Sequence, residues 1–243
     1  AEAYFLLASS KTISSNILLF FFMSDIKKDL QNVYDSVAVE FSNTRYVPWQ
    51  ELSVFIPYLP IGGKILDLGC GNGRLLKVLE SSAQKFDYLG VDFSANLLEQ
   101  AKKQFPNFSF QLADMASINF PDNSFEVICL VASFHHLDTK KDREYLLKKI
   151  YSWLKPEGVL FMTNWNLWQP KYRQYFFKNI FHKRVWNDCF IPYKLPDKSA
   201  VFWRYYHHFT KGELRKLLKQ GGFKISANDV YRTKYNLNCL VKK

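Results

Sequence analysis

Three aspartates close three successive apolar runs: Asp67 in the run Ile65-Leu-Asp-Leu-Gly-Cys-Gly-Asn-Gly73, Asp92 in Tyr88-Leu-Gly-Val-Asp92, and Asp114 after Phe110-Gln-Leu-Ala. An apolar run ending in a carboxylate and then a glycine loop is the arrangement of a strand tip that binds a ligand. The glycines let the backbone turn tightly and come close to the ligand. Asp67 suits a cationic amino-acid moiety, whereas a pyrophosphate would want exposed amides and the positive end of a helix. Asp92, about twenty residues beyond the glycines, is placed to accept paired ribose hydroxyls. Asp114 can receive an exocyclic amine, with Met115 and Phe93 offering apolar surfaces to a purine ring. Aspartate also serves turns and helix caps, but those uses explain neither the glycine loop nor the regular placement.

A second constellation follows the fourth apolar run, in Cys129-Leu-Val-Ala-Ser-Phe-His-His-Leu-Asp138. Two adjacent histidines here can orient an acceptor, or one can take a proton, because imidazole titrates near neutrality. His136 is the stronger candidate for function, with His135 beside it; hydrogen bonding that merely ties down the loop is the plain alternative.

The elements that position these groups follow from patterning. Short apolar runs near 64–68, 87–91, 108–112, 125–131 and 158–164 alternate with helical patterns near 73–82, 95–104 and 141–154, which is the signature of β-α-β units building a parallel sheet. Ahead of them, Val33, Val37 and Phe41 mark a helix with one buried face, and Pro48 suits the first turn of a second helix carrying Leu52, Phe55, Ile56 and Leu59. Thr210-Lys-Gly-Glu213 reads as a capping box opening a helix to about Gln220, with hydroxyl and carboxylate satisfying free amides reciprocally. Two last runs, 223–230 and 236–242, are expected to pair as a hairpin at the sheet edge, bringing five strands to seven. Between these parts, residues 165–209 hold four tryptophans and many basic residues without clean periodicity, and are read as an insertion over one face.

Composition bounds the function class. The chain of 243 residues, 48% hydrophobic and 17% aromatic, suits one α/β domain with elaborations. With 33 Lys plus Arg against 22 Asp plus Glu, the formal charge of +11 attracts polyanions. Cys70, Cys129, Cys189 and Cys239 form neither a CxxC pair nor a zinc cluster, so no metal is expected and a reducing cytoplasm is the simplest home. The apolar run Ile17 to Met23 is too short to span a membrane, and residues 1–22 are expected to lie outside the fold.

The motifs DLGCGNG, VD, LAD and the later LKPEG, within about residues 60–164, resemble the shared motifs of class I S-adenosylmethionine-dependent methyltransferases. The resemblance implies a Rossmann-like α/β fold: a seven-stranded, mostly parallel sheet with one antiparallel edge strand and helices on both faces. It implies S-adenosylmethionine as cofactor, held by Asp67, Gly69, Cys70, Gly71, Gly73, Asp92, Phe93, Asp114, Met115 and Val131. A narrower resemblance lies in the segments VYDSVAVEFSNTRYVPW (33–49), SFHHLDTKKDR (133–143), FIPYKLP (190–196) and RYYHHFTKGEL (204–214), which are similar to the tRNA wobble-uridine carboxymethyl methyltransferases.

That family esterifies the carboxylate of a modified uridine in the anticodon, so the resemblance implies tRNA as substrate. A carboxylate is already ionised at neutral pH and needs no strong base; positioning dominates. On this footing Arg45 and Arg204 clamp the acceptor carboxylate or a phosphate, His136 fixes the nucleotide, and Trp49, Tyr205 and Tyr206 offer stacking surfaces. Lys171, Arg173, Lys178, Lys183, Arg184 and Trp186 make the insertion suited to RNA. Some family members rely on a small activator subunit, which is a possible partner here. A small-molecule methyltransferase acting on a quinone precursor or carboxylic acid is the alternative, since the cofactor motifs are common to both.

Overall fold

The computed structural model describes residues 25–44, 49–59, 61–82, 85–178, 186–195 and 200–243. The expected extension 1–22 and the positions Arg45, Pro48, Lys183 and Arg184 lie outside them, as does the side chain of Lys178.

The core is one seven-stranded sheet. Strands β1 (Lys64–Leu68), β2 (Asp87–Asp92), β3 (Ser109–Leu112), β4 (Phe125–Val131) and β5 (Leu154–Trp165) run parallel, with the order β3-β2-β1-β4-β5. The strand order reverses between β1 and β4, the switch point outside which such sheets bind ligands. The last two strands, β8 (Val230–Arg232) and β9 (Asn236–Lys242), complete the sheet as a hairpin, β9 antiparallel to β5. The antiparallel strand is one position in from the edge, and the short β8 is outermost. β8 is also later and shorter than the run 223–230 suggests. Phe223 is buried in the core, but Asp229 accepts bonds from the Ser226 amide and hydroxyl at 2.6 and 2.7 Å, bending the chain before pairing begins.

Helices α3 (Arg74–Glu80), α4 (Ala95–Gln104), α5 (Lys140–Trp153) and α7 (Lys211–Gln220) accompany the strands. Their starts are fixed chemically: the Ser94 and Thr139 side chains accept from the amides of Leu97 and Asp142. Two apolar layers result. One side of the sheet buries Leu66, Ile128, Trp153, Leu160 and Leu217, and the other buries Phe55, Ile65, Leu76, Tyr88 and Phe161. The expected helix after Pro48 is a 3-10 helix over Gln50–Tyr58, whose Leu52 and Phe55 are buried at the three-residue spacing that geometry favours. No helix among the described residues is long and apolar enough to cross a membrane.

The roof over the sheet comes from the two ends of the chain pattern. Helices α1 (Ile26–Ser36) and α2 (Ala38–Asn43) pack with the insertion, which contains α6 (Pro170–Lys178) and an antiparallel hairpin of β6 (Asp188–Lys194) and β7 (Val201–His207). Ile26, Leu30, Tyr34 and Ala38 share an apolar cluster with Leu97 and Tyr205. Asp35 accepts from the Ser94 hydroxyl at 2.6 Å and the Asn96 amide at 3.2 Å, and Gln31 donates to the Phe93 carbonyl at 2.7 Å. These bonds tie α1 to the loop that follows Asp92.

Candidate active site

The cavity outside the carboxyl ends of β1, β2 and β4 has a volume of about 340 Å³ and is lined by Asp67, Asp92 and Asp114 together. Gly69, Cys70, Gly71, Phe93, Met115 and Val131 also line it. Gly69 adopts φ +74°, and a Cβ there would stand 2.4 Å from Ser133 Cβ, so the tight passage between β1 and the β4 tip requires glycine. Gly73 is different from the other expected cofactor residues. It caps α3 at φ +78°, faces Phe105 and lies outside the cavity lining, so its role is to turn the chain rather than touch a ligand.

Each carboxylate has a distinct state. Asp67 is buried, and its Oδ2 accepts from the Tyr88 hydroxyl at 2.8 Å while Oδ1 has no protein partner. Burial pushes its pKa up to about 7, against the lowering effect of the Tyr88 bond, and nearby Asp92 adds to the rise. Asp92 accepts from the Gly71 amide at 2.8 Å and the Ser94 amide at 2.9 Å; burial still raises it to about 6. Asp114 accepts from the Ala116 amide at 3.0 Å and is ion-paired with Lys27 of α1. A buried carboxylate oxygen with no partner is costly unless a donor or cation meets it. The donor set therefore fits S-adenosylmethionine; Asp67 would hold the cationic amino-acid end, Asp92 the ribose hydroxyls, and Asp114 with Met115 and Phe93 the adenine.

The acceptor half of the cavity is built by long-range contacts. His136 lies in a 3-10 turn after β4, with Nδ1 2.7 Å from the Tyr205 carbonyl and Nε2 2.8 Å from the Tyr34 hydroxyl. A carbonyl only accepts, so Nδ1 carries the proton and Nε2 accepts from Tyr34. Burial drives the pKa of His136 down to about 3. Both nitrogens are committed and the ring is neutral, so His136 positions Tyr34 and the β7 backbone; the expectation that one histidine removes a proton is not met by this residue. His135, expected to contact substrate, is outside the cavity lining. It is buried, accepts from the Trp165 amide at 3.3 Å, and packs beside Tyr206.

Strand β7 divides the remaining expected residues by its pleat. Arg204 and Tyr206, two apart, line the cavity. Tyr205 points the other way, buried, with its hydroxyl 2.7 Å from Asp188, so it is a packing residue rather than a stacking platform. Arg204 is 3% exposed and is surrounded by the rings of Tyr193, Tyr206 and Trp165 at 5.1, 5.4 and 5.5 Å. No carboxylate pairs with it among the described residues, and its Nε has no partner. Burial disfavours its charge, but the Tyr206 and Tyr34 side chains outweigh that and its pKa is raised. Trp49 lines the cavity too, with the Arg74 guanidinium 4.4 Å from its ring centre.

Three residues of this site escape sequence reasoning. Tyr34, Lys27 and Trp165 all line the cavity. Tyr34 falls inside the segment 33–49 that carries the narrower resemblance, and Trp165 ends β5 as Asp67 ends β1's loop approach, but neither position advertises a role. Lys27 carries no sequence signal at all.

Residues 65–158 match the methyltransferase domain family. Among similar proteins, the tRNA (carboxymethyluridine(34)-5-O)-methyltransferase of Saccharomyces cerevisiae is 29% identical over 70% of this chain and 58% of its own length. The protein of the same name from Schizosaccharomyces pombe is 28% identical over 79% of this chain and 87% of its own. The chain thus spans under three fifths of the budding-yeast relative. A solved SAM-dependent methyltransferase from Methanosarcina mazei shares the fold with a TM-score of 0.68 at 21% identity, covering 81% of this chain and 99% of that one. Sheet order, strand-tip carboxylates and these likenesses agree: residues 65–158 match a methyltransferase domain, and the chain has the Rossmann-like fold of S-adenosylmethionine-dependent methyltransferases.

Proposed function

We propose that the chain methylates the carboxylate of a modified wobble uridine in tRNA, in the cytoplasm. The observation that carries this is Arg204: a buried guanidinium in an aromatic cage, without a carboxylate partner, lining the same cavity as the three aspartates. A desolvated cation of this kind binds a ligand carboxylate by charge-assisted, bidentate hydrogen bonds.

The neutral, fully bonded His136 supports the same acceptor. An ionised carboxylate needs no general base at neutral pH, whereas a hydroxyl or amine acceptor has a proton to lose. S-adenosylmethionine, when bound, supplies an electrophilic methyl group on a sulfonium. Arg204 then orients the acceptor carboxylate, Tyr206 and Trp165 flank it, and α1 with the β6–β7 hairpin keeps water from the reacting atoms. The basic exterior, +11 overall, and the exposed Lys171 and Arg173 of α6 suit an RNA backbone. The relatives' names give the same substrate for those proteins, and a small activator subunit is a candidate partner.

The test is to incubate the chain with labelled S-adenosylmethionine and undermodified tRNA, digest to nucleosides, and identify the product by mass spectrometry. A methyl ester of a carboxymethyl-type uridine is expected. Absence of transfer to RNA, with and without a candidate activator subunit and despite cofactor binding, moves the assignment to a small-molecule carboxylate acceptor.

A further inference from the structure

A second cavity, of about 510 Å³, adjoins the first and shares Trp49 and Trp165 with it. Its other walls are Tyr172 of α6 and Tyr235 of the β8–β9 turn, and Glu51 and Gln169 supply its polar edge. Trp165 is stacked on Tyr172 at 5.3 Å and 25°, and on Tyr206 at 5.0 Å and 20°, so one aromatic column runs from the reaction cavity into this one. Tyr235 is 53% exposed, which leaves part of its ring open to solvent.

Two lysines stand against these rings. Lys171 Nζ lies 5.3 Å from the Tyr172 ring centre and Lys234 Nζ lies 5.2 Å from that of Tyr235. Flat aromatic walls with ammonium groups beside their rings match two parts of a nucleotide, base face and phosphate. Glu51 accepts from the Asn236 side-chain amide at 2.5 Å and Gln169 donates to the Asn166 and Tyr235 carbonyls at 2.9 and 3.0 Å, so the aromatic walls rather than this edge are free to meet a ligand, and a folded protein surface would not enter a cavity of this size.

We infer that this cavity is a subsite for an unstacked nucleobase next to the nucleotide being methylated, with Tyr235 as its outer stacking face and Lys171 and Lys234 on the adjoining phosphates. This rests on RNA being the acceptor. Sharing Trp49 and Trp165 fixes the spacing: the base in this subsite and the base at Arg204 belong to adjacent nucleotides, so a single-stranded loop fits and a continuous duplex does not.

The test uses the full chain and an anticodon stem-loop carrying 2-aminopurine on one side or the other of the target uridine, since stacking quenches that fluorophore. Wild-type protein is expected to quench it at one of the two positions. Tyr235→Phe should keep the quenching; Tyr235→Ala should abolish it and weaken stem-loop binding about tenfold, the size of one lost base–aromatic stack. Cofactor affinity checks that the variants fold. No quenching at either position by the wild type, or equal quenching by Tyr235→Ala, overturns the subsite. Methyl transfer to the same stem-loop is read separately, so transfer without quenching refutes the subsite alone, and no transfer by the wild type with and without a candidate activator subunit refutes RNA as acceptor.

Discussion

Strand β7 carries two buried basic groups on opposite faces, Arg204 and His207, and their surroundings differ completely. His207 lies between two carboxylates, Nδ1 2.8 Å from Asp188 and Nε2 2.8 Å from Glu213. Arg204, three residues earlier, has aromatic rings and no carboxylate. The first arrangement engages both imidazole nitrogens and holds the hairpin to α7. The second leaves the guanidinium without an anion among the described residues and its Nε without a partner. The first is a fastening, and the second, a buried cation lining a cavity without an anion, is the proposed acceptor site.

Substitution at the two positions should separate these roles. Arg204→Met is expected to lower kcat/KM for a carboxylate acceptor by about 100-fold or more, the size of a lost desolvated ion pair. Thermal stability should hold or rise, because an unpaired buried cation is replaced by an apolar chain. His207→Ala should do the reverse, costing about 3 kcal/mol of stability by removing the imidazole that Asp188 and Glu213 share while leaving cofactor affinity near wild type. Urea unfolding and cofactor titration of both variants measure this; equal stability losses would erase the distinction.

pH sharpens the same contrast. Burial opposes the charge on His207, but its bonds to Asp188 and Glu213 prevail and raise its pKa. A raised folded pKa gives stability that is fully present below the unfolded value and is lost as pH rises through the folded one. Asp67 and Asp92, raised to about 7 and 6, behave the same way in the absence of cofactor. Cofactor binding has the opposite dependence, since its cationic end favours ionised carboxylate. Affinity should therefore climb between about pH 5.5 and 7.5, and calorimetry should find that rise flattened in Asp67→Asn. The smallest expected effect is in Tyr34→Phe, where loss of one hydrogen bond to His136 lowers kcat/KM about fivefold with cofactor affinity unchanged.

The cofactor half was legible in the sequence because its chemistry is local. Asp67 and Asp92 lie within one residue of the ends of their own strands and Asp114 two residues beyond its own, and β1 and β4 occupy Lys64–Leu68 and Phe125–Val131 as patterning predicts. The acceptor half was not, because its contacts join distant segments: Tyr34 meets His136 across 102 residues of chain, and His136 meets the Tyr205 carbonyl across 69. The hairpin also hides its period. Four consecutive residues of β7, Arg204 to His207, are buried on both faces, so no polar alternation marks which side chains share a surface. Tyr205 and Tyr206 consequently look equivalent in sequence and are opposite in space.

The capping box at Thr210 shows a subtler limit. Thr210 does accept from the Glu213 amide at 3.1 Å, but the Glu213 carboxylate receives His207 instead of closing the box. Local propensity placed the helix start, and tertiary charge redirected the side chain.

The most direct measurement compares two stem-loops that differ by one group, a carboxymethyluridine and its carbamoylmethyl amide, for binding to wild-type protein and to Arg204→Met in the presence of cofactor. The account predicts that the wild type prefers the carboxylate by about 100-fold and that Arg204→Met loses the preference while still binding cofactor. Equal binding of acid and amide by the wild type, or a preference that survives Arg204→Met, would contradict it.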